Sequence, residues 1–205
     1  ALLVQRSILH NALWGDDNAA SKPLFQEIEN PEDVFNIFNY ITYEKGCSIL
    51  VMLEDLMGEE IMQQVIQAYI RRYQYQSVNS QDFIDFLQES IETNVSDFLD
   101  SFIKQSGYPL VTVNFSENRS QIILTQERFL RMNEEGNETR WTIPLKYIAE
   151  INDEMESVWF NSNQESLIFN FPTNINWIKL NFGRSGYYRT NYPKHMWRYF
   201  SRIIK

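Results

Sequence analysis

Ile103-Lys104-Gln105-Ser106-Gly107-Tyr108-Pro109-Leu110-Val111-Thr112-Val113 divides this chain into two kinds of sequence. Before it, apolar residues recur at helical intervals; after it, they alternate. Gly107 followed by Pro109 ends a helix by a familiar rule, since glycine enters the left-handed region and proline cannot continue the helix. Residues 110–115 then alternate with period two, the pattern of a half-buried strand. The chain reads as α+β, helices first and strands second.

Working upstream, Leu2, Leu3, Ile8, Leu9, Ala12 and Leu13 recur as one amphipathic helix, and a polar loop runs from Gly15 to about Pro31. The helix after Tyr43 is expected to bury Ile49, Met52, Leu53, Leu56 and Met57 on one stripe and to stop at Gly58. The next opens with Glu59 and Glu60 and closes with Arg71 and Arg72, charges that suit the helix dipole. Its expected buried face is Ile61, Met62, Val65, Ile66, Tyr69 and Tyr73. Ser80 is the expected N-cap of a helix holding Phe83, Phe86 and Leu87. A last helix carries Phe98, Leu99, Phe102 and Ile103. Downstream, strands are expected at residues 110–115, 121–126, 140–145, 157–160, 166–171, 177–182 and 187–191, with turns such as 116–120 and 133–137 between them. Short strands at this spacing suggest a β-sandwich of about 80 residues. From Lys194 onward, His195 to Phe200 and Ile203-Ile204 read as another helix.

Of 205 residues, 43% are hydrophobic and 15% aromatic, which suits packed cores and not a disordered chain. A net charge of −9 makes nucleic acid and anionic membrane surfaces poor partners, because phosphate is neutralised by Lys and Arg. No apolar run approaches the ~18 residues that span a bilayer. The opening Ala1 to His10 has no basic leader, and Gln5 and Arg6 interrupt it, so it reads as a stretch of amphipathic helix from a longer chain and not as a signal peptide. Cys47 is the only cysteine and excludes an intrachain disulfide. Four Asn-x-Ser/Thr sites, at Asn94, Asn114, Asn118 and Asn137, favour an extracellular or cell-surface ectodomain and leave a cytoplasmic location open.

The stretch richest in chemistry is Phe38-Asn39-Tyr40-Ile41-Thr42-Tyr43-Glu44-Lys45-Gly46-Cys47-Ser48. It resembles the segment of aminopeptidase N-like zinc aminopeptidases, the gluzincin exopeptidases, that carries their transition-state tyrosine. Further matches follow in the family's order. Tyr73-Gln74-Tyr75 with Ser80-Gln81-Asp82-Phe83 resembles its Tyr-x-Tyr and Asp-Leu-Trp region. Residues 103–113 resemble its Gln-x-Gly-Tyr-Pro junction. Thr125-Gln126-Glu127-Arg128-Phe129 and Trp141-Thr142-Ile143-Pro144-Leu145 resemble two of its strands. Trp177-Ile178-Lys179-Leu180-Asn181 and Gly186 to Tyr192 resemble its last ones. The similarity runs from about Asp17 to Tyr192. Cys47 stands where alanine is usual, Phe83 and Phe102 replace tryptophans, and Lys22 replaces a histidine.

This resemblance implies the last helical part of a thermolysin-like catalytic domain at 1–108, a β-sandwich at 109–193, and the start of a helical C-terminal domain at 194–205. It implies a parent zinc metallo-aminopeptidase that removes N-terminal residues from peptides. Tyr43 would donate its hydroxyl to the oxygen that gains charge in the transition state, where such a donor is worth ~10²–10³ in rate; phenols stay protonated at neutral pH and can donate. Phe38 would line the substrate pocket on the primed side. Zinc belongs to the parent, and none is assigned to this chain, because His10 and His195 stand in no H-E-x-x-H frame and a zinc site needs three protein ligands. The chain alone is expected to be inactive. Its partners would be peptide substrates and the parent's remaining N-terminal half and C-terminal helical domain, with no nucleic acid and no direct membrane insertion. The alternative is a non-catalytic extracellular binding module derived from an aminopeptidase.

Blander readings stand beside these. Tyr43 can pack as an ordinary aromatic at a helix start, and Phe38 as a helix-core residue. Glu44 and Lys45 read as a solvated charge pair. Gly183-Arg184-Ser185-Gly186 is expected to be a hairpin turn and lacks the strand-to-helix setting of a nucleophile elbow. Cys47 is expected to be buried and inert. Glu54, Asp55, Glu59 and Glu60 read as solvated surface.

Overall fold

Helical spacing before Gly107 and alternation after it fold as two units, Ala1–Gly107 and Tyr108–Lys205, of a mixed α+β structure. The computed structural model describes residues 2–203 apart from 29, 92, 118 and 133–137. The first unit contains α1 (Leu2–Gly15), α2 (Gly46–Met57), α3 (Glu59–Arg72), α4 (Ser80–Ser90) and α5 (Ser96–Ile103). Between α1 and α2 lie a 3₁₀ helix, Pro31–Ile37, and a π-helical turn, Ile41–Lys45. The core is made by Leu53, Leu87, Val95, Phe98, Leu99 and Phe102, all essentially without solvent contact.

Sequence punctuation explains most boundaries. α2 stops at Gly58, whose φ of +89° suits a residue without a Cβ. α4 is capped by Asn79 and not by Ser80. The Asn79 side chain accepts from the amides of Gln81 at 2.8 Å and Asp82 at 3.0 Å, and the Asp82 carboxylate accepts from the Asn79 amide at 2.8 Å. This reciprocal capping box satisfies helix-end donors that a serine one residue later would not reach. On α3, Met62 and Val65 are buried, and Ile66, Tyr69 and Tyr73 are partly so, but Ile61 is 49% exposed, one position off the inward stripe.

In the second unit, β1 (Pro109–Phe115), β2 (Gln121–Arg128), β5 (Ser166–Asn170) and β7 (Arg189–Asn191) form one sheet in the order β5-β2-β1-β7. The other sheet, ordered β4-β3-β6, holds β3 (Ile143–Ala149), β4 (Asn152–Phe160) and β6 (Ile178–Leu180). Alternation places Val111, Val113, Ile122, Leu124, Ile143 and Leu145 inside. Tyr147 of β3 meets Phe169 of β5, ring centroids 4.9 Å apart, so the two sheets share side-chain contacts. The Arg189 guanidinium lies 4.5 Å from the Phe129 ring and 5.8 Å from that of Tyr108, a cation–π arrangement.

The structure departs from the sequence pattern at two further places. Residues 140–142 precede β3 and are not part of a strand. Trp141 is fully buried there, and its backbone pairs with one side chain: Gln126 Nε2 donates to the Trp141 carbonyl at 3.0 Å, and the Trp141 amide donates to Gln126 Oε1 at 2.8 Å. Residues 183–186 are not a hairpin turn, because β6 and β7 belong to different sheets. Asn181 and Arg184 take left-handed conformations, and the Asn181 side chain bonds the Gly186 amide and carbonyl, both at 3.0 Å, to close this crossing.

α6 (Lys194–Ile203) buries Met196 and Phe200 in the same unit, with Phe200 5.0 Å from Tyr192. The Tyr192 hydroxyl accepts from the Leu180 amide at 2.9 Å. Burial pushes its phenol up to about 12. A folded-state value above the unfolded ~10 contributes stability that is complete below the unfolded value. That contribution is lost as pH rises through about 12. Tyr192→Phe is expected to shed part of the alkaline loss of stability in this window, measured as the unfolding midpoint by circular dichroism at stepped pH.

Candidate functional site

Tyr43 occupies the middle of the π-helical turn Ile41–Lys45, a geometry that recurs at functional sites. The residues at the two ends of the turn, Ile41 and Lys45, are buried, while the Tyr43 side chain is 61% exposed. The turn is held at many points. Asn39 Oδ1 accepts from the amides of Ile41 at 2.8 Å and Thr42 at 3.3 Å, and the Asn39 carbonyl accepts from Tyr43 at 3.2 Å. Thr42 Oγ1 donates to the Ile37 carbonyl, Ser48 Oγ donates to the Glu44 carbonyl at 2.7 Å, and Asn11 donates to the Glu44 carboxylate at 3.3 Å.

Lys45 is not solvated. It and Asp16 are both 0% exposed, with Nζ 2.9 Å from Asp16 Oδ2. The ammonium also donates to the carbonyls of Gln105 and Gly107, each at 3.1 Å, so its three donors meet three acceptors. Asp16 Oδ1 in turn accepts from the Gly107 amide at 2.9 Å and from Ser21 Oγ. Helical spacing is the physical reason: Ile41, Lys45, Ile49 and Leu53 recur every four residues and share the inward face. That spacing was the available signal for Lys45; the general rule that lysines stay in water conceals it.

The structure brings Phe38 and Tyr43 together, ring centroids 6.4 Å apart. Phe38 is 58% exposed and so is not a helix-core residue. Tyr43 borders a cavity of about 840 Å³, and Phe38 is not among the residues that line it. Tyr43, Cys47 and Leu50 lie on one side and Ile66, Tyr69 and Ile70 of α3 on another. Tyr69 anchors this wall through rings 4.9 Å from Tyr73 and 5.1 Å from Phe83, and burial raises its phenol above the ordinary value, with smaller contributions from Tyr73 and Asp82. Cys47 is partly exposed on the cavity and not sealed inside α2. Among the described residues that line the cavity there is no imidazole and no carboxylate. What the arrangement offers chemically is two phenolic hydroxyls, those of Tyr43 and Tyr69, on a largely apolar lining.

Glu54, Asp55, Glu59 and Glu60 are exposed. Asn94 and Asn114 are exposed as well, whereas Asn118 and Asn137 lie outside the described residues. His10 is exposed on α1 of the first unit, and His195 belongs to the second, where its ring lies 5.1 Å from Phe115. Among the described residues, no three of His, Cys, Asp and Glu converge as a metal-ion donor set. No helix of the described residues is long and apolar enough to cross a membrane.

Comparison with known proteins shows which family this chain resembles. Residues 3–102 match the peptidase family M1 domain, a span lying wholly within the helical unit. The human thyrotropin-releasing hormone-degrading ectoenzyme is 27% identical over 93% of this chain and 20% of its own length. Human glutamyl aminopeptidase is 32% identical over 89% of the chain and 19% of its own length. A probable aminopeptidase 2 of Sulfurisphaera tokodaii is 32% identical over 88% and 22% respectively. The chain thus spans about a fifth of the length of the curated relatives it matches. It belongs to peptidase family M1, a family of zinc aminopeptidases. The described residues do not themselves fit a three-ligand zinc site.

Removing one partner of the Asp16–Lys45 pair strands a buried charge. Asp16→Ala is expected to cost about 3–5 kcal/mol, read as a lowered urea midpoint, because breaking a buried pair leaves an uncompensated ion.

Proposed function

We propose that this chain is part of a zinc metallo-aminopeptidase that removes N-terminal residues from peptides, and that Tyr43 donates its hydroxyl to the developing oxyanion. The observation that carries this reading is an exposed Tyr43, fixed on a bonded turn beside Phe38 and an apolar cavity, in a chain of family M1. When the scissile carbonyl becomes tetrahedral its oxygen gains negative charge. A donor fixed in place before that charge appears stabilises it without reorganising. Tyr43 meets the requirement: its ring projects from the chain while the residues on both sides of it are tied down. Phe38, its ring centroid 6.4 Å from that of Tyr43, would line the substrate pocket on the primed side. The family's zinc supplies carbonyl polarisation and an activated water; its ligands are assigned to polypeptide of the whole enzyme outside this chain.

In this reading residues 1–108 are the last helical part of a thermolysin-like catalytic domain, 109–193 a β-sandwich, and 194–205 the start of a helical C-terminal domain. Two sheets with mutual side-chain contacts support the second assignment. In the whole protein, Tyr43→Phe is expected to lower kcat about 10²–10³-fold on an aminoacyl reporter with KM little changed, since only a transition-state contact is lost. Unchanged kcat would overturn the role of Tyr43. The 205-residue chain alone is the control and is expected to give no chelator-sensitive turnover.

We further propose an extracellular location, supported by the word ectoenzyme in the name of one relative and by the exposure of Asn94 and Asn114. Expression through a secretory pathway is expected to yield glycans at these two asparagines, read as mass lost on glycosidase treatment; unmodified peptides spanning both would count against it.

A further inference from the structure

We propose that Lys45, with Asp16 as its counter-ion, is a positioning residue for Tyr43; this rests on the reading that Tyr43 is the hydroxyl donor. Lys45 stands two residues beyond Tyr43 in the same turn, on an inward stripe otherwise filled by Ile41, Ile49 and Leu53. Apolar side chains in place of both Lys45 and Asp16 would serve stability as well or better, since well-packed hydrophobic replacements of whole buried ion pairs are often neutral or stabilising. What an apolar side chain cannot supply is direction, because hydrophobic burial is non-directional. The ammonium supplies it through three acceptors from two remote segments: Asp16 just past α1, and the carbonyls of Gln105 and Gly107 just past α5. Asp16 is itself fixed by the Gly107 amide and Ser21. The carboxylate is therefore not free to follow a displaced lysine.

The direction matters because the turn is π-helical. Such a turn carries one residue more than an α-helical one, and absorbing that residue would swing side chains by about 100° around the axis. Lys45 can keep its three bonds only while its Cα faces inward. Ile41, buried at the other end, sets the same requirement. Held at both ends, the turn presents Tyr43 outward, toward Phe38 and the cavity.

The test is a double-mutant cycle in the whole protein. Lys45→Met is expected to lower kcat at least about tenfold with KM within about twofold, and to change kcat by less than about twofold when Tyr43 is already Phe, because a residue acting through another loses its effect when that other is gone. Equal factors in the two backgrounds, or a loss confined to KM, overturn the positioning role and leave that of Tyr43 standing. An unchanged kcat for Tyr43→Phe alone overturns both. If Lys45→Met does not fold, as judged by circular dichroism, Asp16→Asn takes its place. It keeps an acceptor for the Gly107 amide, removes the charge and puts an amide donor where Oδ2 accepts from Lys45, and it is read in the same two backgrounds against the same factors.

Discussion

The helical unit depends on one buried ion pair. Asp16 and Lys45 are taken wholly out of water, which costs several kcal/mol per ion unless every donor and acceptor is satisfied. Here the satisfaction is spread across the unit: the ammonium reaches two carbonyls beyond α5, and the carboxylate reaches an amide and a hydroxyl. Three stretches far apart in sequence, near residues 16, 45 and 107, are thereby defined by one another. Hydrophobic packing among Leu53, Leu87, Phe98 and Phe102 supplies the bulk of the stabilisation, since apolar area is the dominant favourable contribution. Polar geometry settles which of several apolar packings is kept.

The exposed turn and its cavity follow from that arrangement. Ile41 and Lys45 face inward, so the residue midway between them faces out, and α3 and α4 build a wall of rings opposite. Phe38, Tyr40 and Tyr43 remain largely in solvent, together with Trp14 and Phe35, an unusual concentration of exposed aromatic surface.

How much of this was legible in the sequence depended on whether a residue's role is local. The change of period at Pro109 and the stop at Gly58 were readable, because glycine and proline act on their own backbone. Tyr43 and Phe38 were located by motif, and their juxtaposition follows from five residues of spacing across one turn. Lys45 was misread because charge outweighed periodicity, although Ile41, Ile49 and Leu53 marked its face as buried. Asn79 was passed over for its neighbour Ser80, since either can cap and only the backbone decides which one does. Residues 140–142 alternate like a strand, yet their partner is the amide of Gln126, a pairing with no periodic trace. The fate of residues 183–186 was hidden for a similar reason: alternation says that a segment is extended, not which strand it joins.

The parallel pairing of β7 with β1, through Leu110↔Arg189, Val111↔Thr190 and Thr112↔Asn191, bears on how the chain is made. The first strand of the β unit waits for the last described strand before that edge is covered. During synthesis the helical unit emerges whole while β1 still lacks this neighbour, so its unsatisfied amides and carbonyls are open to strangers. High contact order slows the closing step further. The ribosome thus delivers the two halves of this chain on different schedules, and the β half is the one that would profit from a chaperone.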